Sequence, residues 1–146
     1  MLTQEEANNL INMVKKIEKP GKLKFPHPGE KKEISVISLD GKEKFFLDIN
    51  RARLKLTKCT YQNRYRRDII LLRLDIDGPD HTNPEPNGET FPCPHLHIFK
   101  EGYGDKFAIP LPLEFSPSMD LITKLYEFLD YCKIDNANEM QIQGVI

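Results

Sequence analysis

His95 and His97 stand two apart in the stretch Phe91-Pro92-Cys93-Pro94-His95-Leu96-His97-Ile98-Phe99-Lys100, and the acid–base pair Asp105-Lys106 follows a glycine turn. A third imidazole, His81, lies about fifteen residues upstream, in a run rich in Pro, Gly, Asn and acids. Three chemistries fit imidazoles that can reach one another. The first is general acid–base work. Histidine holds both proton states near neutrality, so a neutral ring can take the proton of a ribose 2′-hydroxyl while a charged ring gives one to the leaving 5′-oxygen. His81, His95 and His97 are the candidate catalytic groups, with Lys106 supplying positive charge to the phosphorane. The second is metal binding. An H-x-H supplies two ligands, and His81, Asp80, Cys93 or Glu101 would complete a set. The third is structural: histidines beside a tight loop donate to loop carbonyls and hold it down. A Cys93/His nucleophile has no sequence mark of activation.

The elements that position these residues follow from local signals. Thr3-Gln4-Glu5-Glu6 is a capping box. Ala7, Leu10, Ile11, Val14 and Ile17 then recur at helical spacing up to Pro20-Gly21, which predicts a helix over 1–19. A Pro-, Gly- and Lys-rich linker, 20–32, follows. Glu33 to Ile49 reads as a hairpin turning at Asp40-Gly41. Arg51 to Lys58 alternates as a strand, with Arg51, Arg53 and Lys55 on one face and Ala52, Leu54 and Leu56 on the other, and Cys59 at its end. Asp68 to Ile76 is nearly continuous in apolar residues and predicts a central strand. His95 to Glu101 and Lys106 to Leu111 form a second hairpin across Gly102-Tyr103-Gly104, whose glycines serve a turn and not a phosphate loop. Strand alternation puts Cys93, His95, His97 and Phe99 on one face and Leu96 and Ile98 in the core. Ser116-Pro117 predicts the start of a helix over 116–133, with Leu121, Ile122, Leu125, Phe128, Leu129 and Cys132 as its buried stripe. The tail is 134–146. The whole predicts one α+β domain, 1–146. Its sheet, over 33–113, is a curved antiparallel sheet or partly closed barrel of about six strands, with an N-terminal and a C-terminal helix.

Charge is segregated along this chain, whose formal net charge is only −1. From Arg51 to Arg73 the only acid is Asp68, whereas Leu74 to Cys93 carries acids and no Lys or Arg. Arg51, Arg53, Lys55, Arg64, Arg66 and Arg67 are therefore candidate nucleic-acid contacts, with Tyr61 and Tyr65 available to stack. The bland reading is a solvated strand face neutralised by the acidic run. The balanced net charge excludes a global preference for nucleic acid or membrane. No apolar run has the length of a membrane span, and the acidic N-terminus is unlike a secretory leader. Three widely spaced cysteines suggest no disulfide framework and a cytoplasmic setting.

The blocks LTQEEANNL, LDINRARLKLTKCTYQNRYRRDIILLRLDIDGPDHTNP and PHLHIFKEGYGDKFAIPLP resemble a family of small bacterial proteins grouped as a domain of unknown function. The resemblance runs from about Leu2 to Cys132 and is most specific over Asp80–Pro84 and Pro94–Pro112. Family members have a shorter turn where this chain reads EPNG, and more often a Trp where it has Phe107. The resemblance implies a bacterial or mobile-element origin and transfers no activity. The leading functional expectation is thus a nucleic-acid-acting protein of metal-independent, toxin-type endoribonuclease character, needing no cofactor. A non-catalytic binder of RNA or of a protein partner, of antitoxin, anti-defence or regulatory type, is the alternative, and a mononuclear metal protein is a third.

Overall fold

The computed structural model describes residues 1–144. Helix α1 (Gln4–Asn12) leads into strands β1 (Lys15–Ile17), β2 (Lys22–Lys24), β3 (Lys31–Ser38), β4 (Lys44–Arg51), β5 (Cys59–Tyr65) and β6 (Ile69–Asp75). A two-strand excursion, β7 (His81–Thr82) and β8 (Thr90–Phe91), precedes β9 (His95–Ile98) and β10 (Ala108–Pro110). Helix α2 (Leu121–Tyr131), a 3-10 turn (Ala137–Glu139) and β11 (Gln141–Gln143) complete the described chain. Seven strands form one open sheet in the order β1-β3-β4-β5-β6-β9-β10, with every neighbouring pair antiparallel. The α+β class with terminal helices is as the sequence predicts, and the sheet does not close into a barrel.

Period-2 alternation gives this sheet two unlike faces. Val36, Phe45, Leu47, Ile49, Tyr61, Leu72, Leu74 and Leu96 are buried on one. Both helices cover it: Phe128 of α2 packs on Tyr61 with ring centroids 6.1 Å apart, and the Tyr61 hydroxyl donates to the Leu121 carbonyl at 2.6 Å. The register puts Asp48, Gln62, Arg73 and His97 side by side on the opposite face, with Thr60, Asp75 and His95 in the next row. The sheet is therefore apolar towards its helices and polar and ionic on the other side.

Several element bounds differ from the sequence reading, each for a tertiary reason. Helix α1 ends at Asn12 instead of running to residue 19, because Lys15, Lys16 and Ile17 pair with Ser38, Ile37 and Val36 at the sheet edge. Val14, on the expected helical stripe, is exposed, and the buried Lys15 ammonium donates to the carbonyls of Ile11, Met13 and Cys132. The linker 20–32 contains β2, which pairs in parallel with β11 from the tail. Val145 and Ile146 of that tail lie outside the described residues.

The strand expected over Arg51–Lys58 does not form. Arg51 pairs directly with Cys59, so residues 52–58 are the connection of a hairpin, and Cys59 starts a strand instead of ending one. Two neighbouring segments carry similar alternation, and the one with Tyr61 and Tyr65 wins because aromatic rings bury more apolar area. Leu54 and Leu56 are left 95% and 63% exposed. Phe99 joins the core instead of the histidine face, because β9 ends at Ile98.

Helix α2 starts at Leu121, not Ser116. Asp120 is its N-cap, with the side chain accepting from the Thr123 N–H at 2.9 Å. Ser116 instead takes its place through Glu127, which accepts from the Ser116 N–H and pairs with the buried Lys124 at 2.7 Å. Asp120→Ala is expected to cost about 1 kcal/mol, read as a lower urea midpoint at unchanged m-value.

Candidate metal centre

The polar face carries one buried cluster of ionisable groups beside the β6–β9 pairing. Asp75 stands opposite His95 and Arg73 opposite His97 in adjacent strands, so all four side chains project together. His95 and His97 are each 1% exposed. The chain between β6 and β9, the run rich in Pro, Gly, Asn and acids, makes the β7–β8 hairpin and folds back over the pair. This brings His81 in: ring centroids are 4.5 Å from His97 and 5.7 Å from His95, and those two rings are 5.0 Å apart. Asn83 fastens the excursion to edge strand β10. Its Nδ2 donates to the Ala108 carbonyl at 2.9 Å, and its Oδ1 accepts from the Ala108 N–H at 2.8 Å. Replacing this buried side chain, Asn83→Leu, strands both backbone groups of Ala108. The expected result is a loss of about 2 kcal/mol and faster hydrogen exchange confined to residues 79–92 and β10.

Each of these three histidines gives one ring nitrogen to a backbone carbonyl. His95 Nδ1–H donates to Pro92 O at 3.1 Å, His97 Nδ1–H to Asp105 O at 2.8 Å, and His81 Nε2–H to Lys106 O at 2.8 Å. Carbonyls only accept, so these contacts place a proton on that nitrogen, and in the neutral ring the other nitrogen keeps its lone pair. For His95 and His97 that nitrogen is Nε2, and both face the same carboxylate oxygen. Asp75 Oδ2 is 3.3 Å from His95 Nε2 and 3.2 Å from His97 Nε2. The His97 lone pair accepts from Arg73 Nη2 at 3.0 Å. The His95 lone pair has no hydrogen-bond partner although it is buried. It approaches Asp75 Oδ2 at 3.3 Å without making a hydrogen bond.

Asp75 is held ionised. Burial alone would raise its pKa, but the hydrogen bonds and the positive charge of Arg73 outweigh this and hold the carboxyl well below the usual range. Arg73 Nε and Nη2 meet its two oxygens at 3.0 and 3.2 Å, and Arg73 Nη1 reaches Asp105 at 2.6 Å. The cluster opens on a cleft of about 270 Å³ whose walls include Thr60, Lys58, Arg73, Asp75, Asp77, Asp80, His81, Cys93 and His95. Cys93 sits on the wrong side of His95 to share a ligand with Nε2, since its Sγ is 3.6 Å from Nδ1. Burial and then the nearby carboxylates push its thiol pKa up, which disfavours a thiolate. Lys106 contributes its carbonyl to the site, while its side chain is exposed.

The basic residues singled out from sequence separate. Arg51 is buried and donates to the carbonyls of Pro26 and Leu56. Lys55 pairs with Asp77 at 3.0 Å. Arg64 forms a two-pronged ion pair with Asp48. Arg53, Arg66 and Arg67 remain exposed, the last two with guanidiniums over the Tyr65 and Phe46 rings. Arg51, Arg53 and Lys55 lie at the loop end of the β4–β5 hairpin, and Arg64, Arg66 and Arg67 lie at the other end of β5, so the six make no single patch.

The fold and site together define an α+β protein with an open antiparallel sheet and a buried His-x-His/Asp cluster on its helix-free face. The chain belongs to a family of unknown function, DUF6978, whose model matches residues 2–134. No curated protein and no solved structure matches it. No helix among the described residues is long and apolar enough to cross a membrane. The partner that sequence reasoning missed is Asp75. Its signal was available: Arg73 and Asp75 are the charged residues, two apart, inside an otherwise apolar strand.

Proposed function

We propose that this is a mononuclear metal protein in which His95 Nε2, His97 Nε2 and one carboxylate oxygen of Asp75 hold a divalent transition metal. The observation that carries this reading is the buried, unpartnered Nε2 of His95 aimed at Asp75 Oδ2, 3.3 Å away. Ligand bonds of about 2.1 Å place neighbouring ligand atoms about 3.0 Å apart in an octahedron and about 3.4 Å apart in a tetrahedron. The separations of 3.2 and 3.3 Å lie between these, and all three ligand atoms fall within 4.8 Å of one another. The Nδ1 contacts to Pro92 and Asp105 are the outer-shell bonds that fix tautomer and ring orientation in histidine–metal sites. The histidines thus pin their loops and offer ligands with different nitrogens, so the structural and metal readings do not compete.

Two imidazoles and a carboxylate suit zinc, iron, nickel or copper better than magnesium or calcium. Three protein ligands leave further positions open towards the cleft, the pattern of sites that act on a bound molecule. A metal there would polarise a ligand oxygen or acidify a bound water. His81, half-exposed at the mouth, would be placed to exchange protons with whatever occupies the cleft. The test is elemental analysis of protein purified without an affinity tag, followed by cobalt(II) titration. One equivalent with a visible d–d spectrum is expected, and absence of any stoichiometric ion would remove the reading.

A second reading, metal-independent cleavage of RNA by His81, His95 and His97, draws on the same convergence of three rings. It requires a ribose to reach His95 and His97, each 1% exposed. Incubation with RNA in EDTA separates the two, since only the second predicts cleavage there.

A further inference from the structure

Arg73 stands where the charge of a bound cation would be felt. Its Nη2 is 3.0 Å from His97 Nε2 and 3.2 Å from Asp75 Oδ2, two of the three converging ligand atoms. An sp² ring nitrogen has one lone pair, so it cannot accept from a guanidinium and bind a metal at once. We infer that Arg73 sets the affinity of the centre, and through that threshold which ions fill it at a given concentration: its guanidinium caps His97 and neutralises Asp75 until a metal displaces it. This rests on the metal reading above.

Displacement has a receiving group. Arg73 Nη1 already donates to Asp105 Oδ2 at 2.6 Å, so the guanidinium can pivot about that anchor and keep a charge partner. The residue that receives it also holds His97, through the Asp105 carbonyl. His95, which Arg73 does not cap, is left as the first point of attachment for an entering ion. The competition costs every ion the same, so ions that bind imidazole strongly still enter while weaker ones are refused. Along the usual order, zinc, nickel and copper pass and manganese does not.

Calorimetric titration of zinc and, separately, of manganese into wild type, Arg73→Gln and Arg73→Lys tests this, with circular dichroism confirming the fold of each. If the capped state holds about nine-tenths of the molecules, removing the cap tightens zinc about tenfold. That gain is expected for Arg73→Gln, together with manganese binding that wild type lacks. Arg73→Lys, which keeps the charge without the two-pronged reach, is expected between the two, and its sign decides alone if the Gln variant does not fold. Zinc bound by wild type but equally or less tightly by both variants overturns the role of Arg73 and leaves the metal site standing. Zinc bound by no folded protein removes both.

Discussion

His97→Asn is expected to abolish stoichiometric metal binding while leaving the fold nearly intact. The two nitrogens of His97 do separate jobs: Nδ1–H holds the Asp105 carbonyl, and Nε2 faces Asp75. An asparagine amide presents an N–H near the Nδ1 position and nothing near Nε2. It keeps the loop fastened and deletes a ligand. Outer-shell changes alone typically weaken metal sites about 10- to 100-fold, so loss of a ligand is expected to exceed about 100-fold in a cobalt(II) titration. His97→Ala deletes both functions and is expected to add a stability loss of about 1–3 kcal/mol from the orphaned Asp105 carbonyl. Asp75→Asn is expected to match His97→Asn in metal loss and also to release Arg73, whose Nε and Nη2 contacts both end on that carboxylate. Retention of tight binding by His97→Asn and Asp75→Asn would exclude the assigned ligand set.

Phe128→Ala is expected to be the most damaging single change away from the site. Phe128 is fully buried and packs on Tyr61, which in turn donates to the first residue of α2. The ring is thus the contact through which α2 covers the sheet. Large-to-small changes of this kind cost about 3–5 kcal/mol, because the cavity relaxes only in part. For a domain of this size that lowers the melting temperature by about 10 °C. The apolar surface of the loop at 52–58 provides the contrast: Leu54, 95% exposed, is expected to tolerate alanine within about 0.5 kcal/mol. A thermal melt of both variants checks the pair, and a mild Phe128→Ala would mean that α2 is held mainly through its ends.

The parts of this protein legible in its sequence are those governed by neighbours along the chain. Thr3 and Glu6 cap α1 reciprocally, and Gly41 takes the positive φ that the Asp40-Gly41 turn requires. The short spacing of His95 and His97 puts both on one strand face by period-2 geometry alone. The run Ile69 to Leu74 is the interior strand its apolar content predicts. Asp120 as the cap of α2, by contrast, was decided by where Ser116 had to go to meet Glu127 and Lys124. Arg51–Lys58 and Cys59–Tyr65 alternate alike, and only the packing of Tyr61 against α2 chose between them. The site divides the same way. Sequence brought forward the three imidazoles and a basic run, because residue type and spacing are local. That Asp75 lies opposite His95, that Arg73 caps His97, and that the basic run is split between two ends of a hairpin follow from strand register. Register is settled by burying the apolar face of the whole sheet at once, and no stretch of the chain contains that information by itself.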